Sequence, residues 1–350
     1  MASITKDKLC IVQFMHSGNE FPVLKCKRTI APSELSKSRF HVYWSAEPSH
    51  YRRLIQHCGC YVDKNGNYLS APLAFWSEWE AETIAERLHP NKDFFKANFI
   101  HHALNPMLMS GTGVCGCGTA AKCPLYLNTD PCLFGSTFKY SNCHQSKFGD
   151  LRRLAPGSLI VFGSYKKIAG CQPKEVFCLD TVFVVDDIAV DYATDNVNAV
   201  PCSEKYKNLT LLRLPMGENF TFYRGATCHS SVTLNDALFS FTPAKLVGDG
   251  DAAYKRCVIE DIEVLNRHLR KPVFYRSARQ GFHAEVADMR EIKAVWKKIV
   301  NLVTYGDNFV LGVHFDWPTR RKENNHGLST GKRSDTCSAG NTGQDTFRQC

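Results

Sequence analysis

The residues whose types and spacing are best suited to chemistry lie between positions 128 and 187, in NTDPCLFGSTFKYSNCHQ, PGSLIVFGS and EVFCLDTVFVVDD. Asn128, Asp130, Tyr140, Asn142, Cys143, His144 and Gln145 crowd just ahead of two strongly apolar runs. Short polar groups beside a sheet are held in fixed geometry by it, which a built site requires. Asp130, Cys143 and Asp180 are the candidate catalytic groups. Asn128, Tyr140, Asn142 and Gln145 are candidate ligand contacts, because amides and a phenol suit a base edge and its ring.

Cys143 attacks only as a thiolate, which a nearby imidazole or cation favours. His144 follows it directly, but successive residues of a strand face opposite ways. An activating base must then come from His16, His50, His101 or His102, or else Cys143 is a small buried side chain. Cys115, Cys117, Cys123, Cys132 and Cys143 fall within thirty residues, which raises zinc for the loop 115–132. Zinc knuckles place two to four residues between ligands. Cys-x-Cys falls one short, so no metal ligand set is assigned, and no cofactor is identified.

Carboxylates offer a third route. Glu78 alternates with Trp76 and Trp79 in FWSEWE, and a carboxylate held against indole rings loses water, which raises its pKa. Asp180 interrupts the apolar run VFCLDTVFVV, and a buried charge needs a partner. Arg224, in FYRGAT, is the expected partner of Asp180 and also the expected phosphate contact. The competing reading of that pair is a structural ion bridge.

The elements that must position these groups are mostly strands. With 44% apolar and 22% charged residues, the 350-residue chain has ordinary globular composition and can bury a full core. LCIVQFMH (9–16) and RFHVYW (39–44) read as strands, and Asn65-Gly66 as a tight hairpin turn. FWSEWEAETIAERL (75–88) reads as passing into a short helix, and 103–124 as a loop rich in small residues. SLIVFG and VFCLDTVFVV predict strands buried on both faces. LTLLRLP and NFTFYRG read as a pair, and LFSFTPA as a strand ended by Pro243. One apolar stripe of Val286, Met289, Ile292, Trp296, Ile299 and Val303 predicts a helix from Glu285 to Thr304, and FVLGVHF a last strand.

The expected fold class is therefore α+β with β dominant, a mixed or antiparallel sheet or a small barrel core with few helices. The expected division is an N-terminal α+β part at 1–110, a β-rich core at 111–318 and a disordered basic tail at 319–350. No apolar run reaches the length of a membrane span, and no secretion signal is recognised at the start. Together these predict no membrane partner, a cytoplasmic or nuclear location and reduced cysteines, despite a count of 16. The net charge of +9 permits a polyanionic partner.

Three resemblances bear on function. QFMHSGNE, FWSEWE, NTDPCLFGSTFKYSNCHQ, PGSLIVFGS, FCLDTVFVV, FYRGAT, LFSFTPA and LGVHFDWP together resemble an uncharacterised family of bacterial hypothetical proteins. That likeness spans about residue 11 to 318 and implies no particular activity. The pairing of GSLIVFG with FCLDTVFVV is similar to PUA-like barrels of nucleic-acid-modification systems, which grip a flipped base with aromatic and short polar groups. FYRGAT followed by LFSFT resembles the Arg and Ser-Thr-Ser elements of ADP-ribosyltransferases, although EDIEV lacks their Glu-x-Glu spacing. The leading expectation is a nucleotide- or nucleic-acid-directed protein, a base modification enzyme or a base reader, with its pocket at 128–145 and 180. The alternatives are a thiol- or zinc-dependent enzyme centred on Cys143, an ADP-ribosyltransferase-like enzyme and a non-enzymatic interaction module.

Overall fold

The structure is a computed structural model that describes residues 4–15, 52–78, 83–87, 99–103, 131–141, 143, 145, 148–168, 174–211, 218–228, 237–276, 281–306 and 308–317. The class is α+β with β dominant, as the patterning predicts.

Its first sheet is centred on the apolar central runs. The strands are β1 (Cys10–Met15), β2 (Arg52–Val62), β3 (Tyr68–Glu78), β4 (Thr83–Arg87), β5 (Phe99–Ala103), β6 (Lys139–Tyr140), β7 (Leu159–Ile168), β8 (Lys174–Ala193), β9 (Asn219–Gly225), β10 (Thr242–Leu246), β11 (Cys257–Ile259), β12 (Gly281–Val286) and β13 (Val310–Phe315). The larger sheet runs β12-β1-β7-β8-β9-β6, with β11 also on β8. Only β1 and β7 lie parallel in it. Leu159, Ile160, Val161 and Phe162 of β7 are all sealed from solvent, as are Phe183 and Val184 of β8. That agrees with a sheet covered on both faces, which continuous apolar strands require.

The second sheet, β13-β10-β3-β2-β5-β4, also pairs β13 with β2. β2, β3, β10 and β13 therefore close into a small barrel. Phe75 and Phe315 help to fill it, their ring centroids 4.1 Å apart. The β2–β3 hairpin turns where Asn-Gly predicts. Asp63 Oδ1 accepts from the N–H groups of Asn65 and Asn67, both at 2.8 Å, and Gly66 supplies the positive φ of +85° that the turn demands. Residues 131–140 seam the sheets, since β6 pairs with β9 while Phe134 and Gly135 bridge to Phe315.

Three expectations change. The division at 110 does not separate structural units, because β1 joins β7 and β12, and β2 and β3 join β13 and β10. The short helix expected within 75–88 is replaced by strand at 68–78 and 83–87; an eleven-residue ladder with β2 outweighs local preference, as sheet context often does. Pro243 does not end its strand. It sits opposite Leu311 of β13, and β10 begins pairing with β3 only at Ala244, so no ladder N–H is needed from it.

Two α-helices lie among the described residues, α1 (Glu204–Leu209) and α2 (Met289–Asn301). α2 starts four residues later than its stripe predicts, because Gly281–Val286 is recruited into β12. Asp288 then caps it reciprocally with Glu291. Its apolar stripe buries Ile292, Val295, Trp296 and Ile299 against the larger sheet's core. Among the described residues no helix is long and apolar enough to cross a membrane. The strand expected at 39–44, the loop at 104–124 and the tail at 319–350 lie outside the described residues.

Candidate functional site

Much of the polar segment expected to line a pocket is used inside the fold. Tyr140 lies in β6 with its ring fully buried, stacked on Tyr223 at 6.0 Å. Its hydroxyl donates to the Cys143 carbonyl at 2.8 Å. Gln145, also buried, bonds both backbone polar groups of Thr221: its Nε2 donates to the carbonyl at 2.9 Å and its Oε1 accepts from the N–H at 2.7 Å. The amide thus substitutes for a neighbouring strand at the edge of β9. Trp76 is buried with Leu54, Ala74 and Ala253 rather than presented for stacking. All three are buried, engaged by packing and by backbone groups of the fold.

Asp180 is buried as its setting demands, but its partner is not Arg224. Arg256 reaches its carboxylate with Nη2 at 2.6 Å and lies 3.3 Å from Ser164 Oγ. Side chains of both ions are almost wholly enclosed, at 4% and 8% exposure for Arg256 and Asp180. Arg224 faces β8 near Asp186, six residues beyond Asp180. At roughly 3.3 Å per strand residue, that is about 20 Å along the chain, well past side-chain reach. Asp180 is therefore a member of a buried ion pair with Arg256 rather than with Arg224.

Cys143 is half-buried, outside any disulfide, and packed against the core. Elsewhere, burial pushes the thiols of Cys10 and Cys202 up to about 11, away from thiolate chemistry. Among the described residues no three His, Cys, Asp or Glu side chains converge to hold a metal. Cys58 is disulfide-bonded, which departs from the expectation of reduced cysteines throughout, whereas Cys10, Cys60, Cys132, Cys143, Cys178, Cys202, Cys228 and Cys257 form no disulfide. Asn128, Asp130, Asn142, His144 and Trp79, with the side chain of Glu78, lie outside the described residues.

Among the described residues, Arg224 is an expected contact that stays partly open to solvent, and it does so through an irregularity. Between the pairs Val185–Gly225 and Ala189–Tyr223, β8 carries Asp186, Asp187 and Ile188 where β9 carries only Arg224. Such a bulge re-aims side chains and recurs beside functional sites. Gly225 lets Ser240 close beneath it, because a Cβ there would stand 2.9 Å from Ser240 Oγ. Ser240 in turn both donates to and accepts from the backbone of Val184, which locks β8 just before the bulge.

Within the bulge the two carboxylates divide their work. Asp186, 1% exposed, accepts from Arg224 Nε at 2.6 Å, and Asp187, 57% exposed, accepts from Nη2 at 2.9 Å. Burial pushes the Asp186 carboxyl above its usual range against the pull of the Asp187 N–H and the guanidinium. A guanidinium carries five N–H donors, and these two bonds use two. Arg224 itself is 31% exposed, so donors and the second Asp187 oxygen share the same patch of surface.

Across the strand pair from Arg224 lies Lys139. Its ammonium donates to the carbonyls of Phe134 and Thr137 at 2.8 and 2.6 Å. It also stands 5.7 Å from the ring of Tyr206 and 5.6 Å from that of Trp317, cation–π distances that suit a desolvated lysine. The residues overlooked in the sequence are therefore Asp186, Asp187, Lys139 and Trp317. The available signal was the Asp pair closing VFVVDD, which reads equally as a strand leaving the core. Compared with known proteins, the chain matches no family model, no curated protein and no solved structure.

Proposed function

We propose that the protein is nucleotide- or nucleic-acid-directed and reads a base edge with Arg224 and Asp187, rather than with a pocket at 128–145. The observation that carries this reading is the half-open ion pair at the β8 bulge. Asp186 fixes the guanidinium from inside through Nε, while Arg224 and Asp187 hold a donor and an acceptor side by side at the surface. Bases offer the complementary pairing of an acceptor next to an amine or imino donor, and Arg and Asp are the side chains that answer guanine and cytosine respectively. Net charge of +9 favours a phosphate-bearing partner over a neutral one. The similarity of the central strands to PUA-like barrels points the same way.

The test is fluorescence polarisation with single-stranded homopolymers and a thermal-shift panel of mononucleotides. Arg224→Lys keeps a cation beside Asp186 but loses the fork, and Asp187→Asn changes an exposed acceptor with little risk to folding. Each should weaken the preferred ligand by roughly ten- to a hundredfold, the range for a lost base contact. Unchanged affinity in both variants would refute the assignment.

A further inference from the structure

We infer that the outer face of α2 is a second contact surface, one that holds the sugar-phosphate backbone of a single-stranded nucleic acid. The partner's identity rests on the reading above; the surface is a separate observation. Arg290, Lys293, Lys297, Asn301 and Tyr305 recur at three and four residues, opposite the stripe that α2 buries. Arg290, Lys297 and Asn301 are exposed, and Tyr305, in the turn that follows α2, is 66% exposed.

The acids nearby are engaged by the bases around them: Arg290 donates to Asp288 at 3.3 Å and Lys271 stands 3.8 Å from Glu285, both at the surface, where such pairs are weak. Arg270 donates to Asp288 at 2.7 Å and to Glu291 at 3.2 Å, and its N–H donates to Glu291 at 2.7 Å. These bonds hold Arg270 beside the start of the helix, and Arg267, His268 and Lys271 next to it in sequence are exposed. Beyond Glu291, no acid occurs until Asp307. The result is a cationic track that ends in an exposed aromatic ring. Cations that track phosphates and rings on which bases stack are the two parts of a sequence-tolerant single-strand surface.

Full-length protein is titrated with fluorescein-labelled oligo(dT) and oligo(U) across a salt series, comparing wild type, R290Q/K297Q, Tyr305→Ala and Arg224→Lys. Removing two phosphate contacts should flatten the slope of log affinity against log salt by about 1.4. Tyr305→Ala should weaken binding on the order of tenfold, with the slope unchanged. A wild-type slope and affinity in all the α2 variants, with Arg224→Lys weakened, overturns this surface and leaves the base-reading site standing. Weakened α2 variants with wild-type Arg224→Lys do the reverse. Failure of wild type to bind either oligonucleotide, alongside binding to phosphatidylserine vesicles, overturns both in favour of a membrane face.

Discussion

Among the arginine–carboxylate pairs on β8, those of Asp180 and Asp186, six residues apart, have opposite characters. Asp180 and Arg256 are both enclosed, with Ser164 beside them and Thr242 Oγ1 donating to the Asp180 carbonyl at 2.6 Å. At the bulge only Asp186 is enclosed, and Arg224 and Asp187 reach solvent. A sealed pair offers a ligand nothing, since its charges answer each other in a place no solute enters. In the half-open pair a buried acid orients an exposed base. Both sites sit at irregularities of β8: Asp180 is the extra residue between the pairs Leu179–Gly163 and Thr181–Phe162 and is covered, whereas Asp186, Asp187 and Ile188 face Arg224 alone and Asp187 reaches solvent.

Breaking the sealed pair should have the largest effect. Arg256→Met strands the Asp180 carboxylate and should cost about 3–5 kcal/mol of stability, read from urea denaturation. If it costs less than about 1 kcal/mol, the pair is not as enclosed as its geometry implies. Next comes Gln145→Leu, which leaves the N–H and C=O of Thr221 unanswered. A loss of about 1–3 kcal/mol for such a buried group is expected, with oligonucleotide affinity retained in the folded fraction. Lost affinity at full stability would return Gln145 to the ligand site.

The half-open pair should answer differently. Asp187→Asn should change unfolding free energy by under about 1 kcal/mol, as exposed ion pairs do, while base preference among homopolymers shifts. The smallest effects concern pH. Asp191 is held below the usual carboxylate range: burial alone would raise it, but Lys6, Thr221 Oγ1 and the Ile4 N–H outweigh that. Its contribution is therefore present above the unfolded pKa and lost as pH falls through the folded one. Asp186 has the opposite sign, since burial raises its pKa. Its folded form binds the proton more tightly, so stability falls as pH rises from the ordinary carboxylate value through the raised one. Urea midpoints across the acid range should show Asp191→Asn removing a loss on acidification and Asp186→Asn removing a loss on alkalinisation.

How far the sequence spoke depended on whether the signal was local. Apolar continuity located β7 and β8, Asn-Gly located the β2–β3 turn, and a 3.6-residue stripe located α2, because each follows from neighbours along the chain. Partner identity is a matter of register. Asp180 was read correctly as a buried acid needing an arginine, yet the choice between Arg224 and Arg256 depends on which strand edge each meets. Tyr140 and Gln145 misled for a related reason: a phenol and an amide look alike in sequence whether they face a ligand or complete the backbone of β9. The Asp186–Asp187 pair was hidden because a bulge leaves no pattern of its own.

The most direct measurement is hydrogen–deuterium exchange on full-length protein with and without the tightest-binding oligonucleotide. Slower exchange is expected across residues 185–189 and 219–225, with no change around Asp180 and Arg256, which are sealed beforehand. Saturating ligand that leaves the bulge unprotected while slowing exchange elsewhere would contradict the half-open pair as the place where this protein meets its partner.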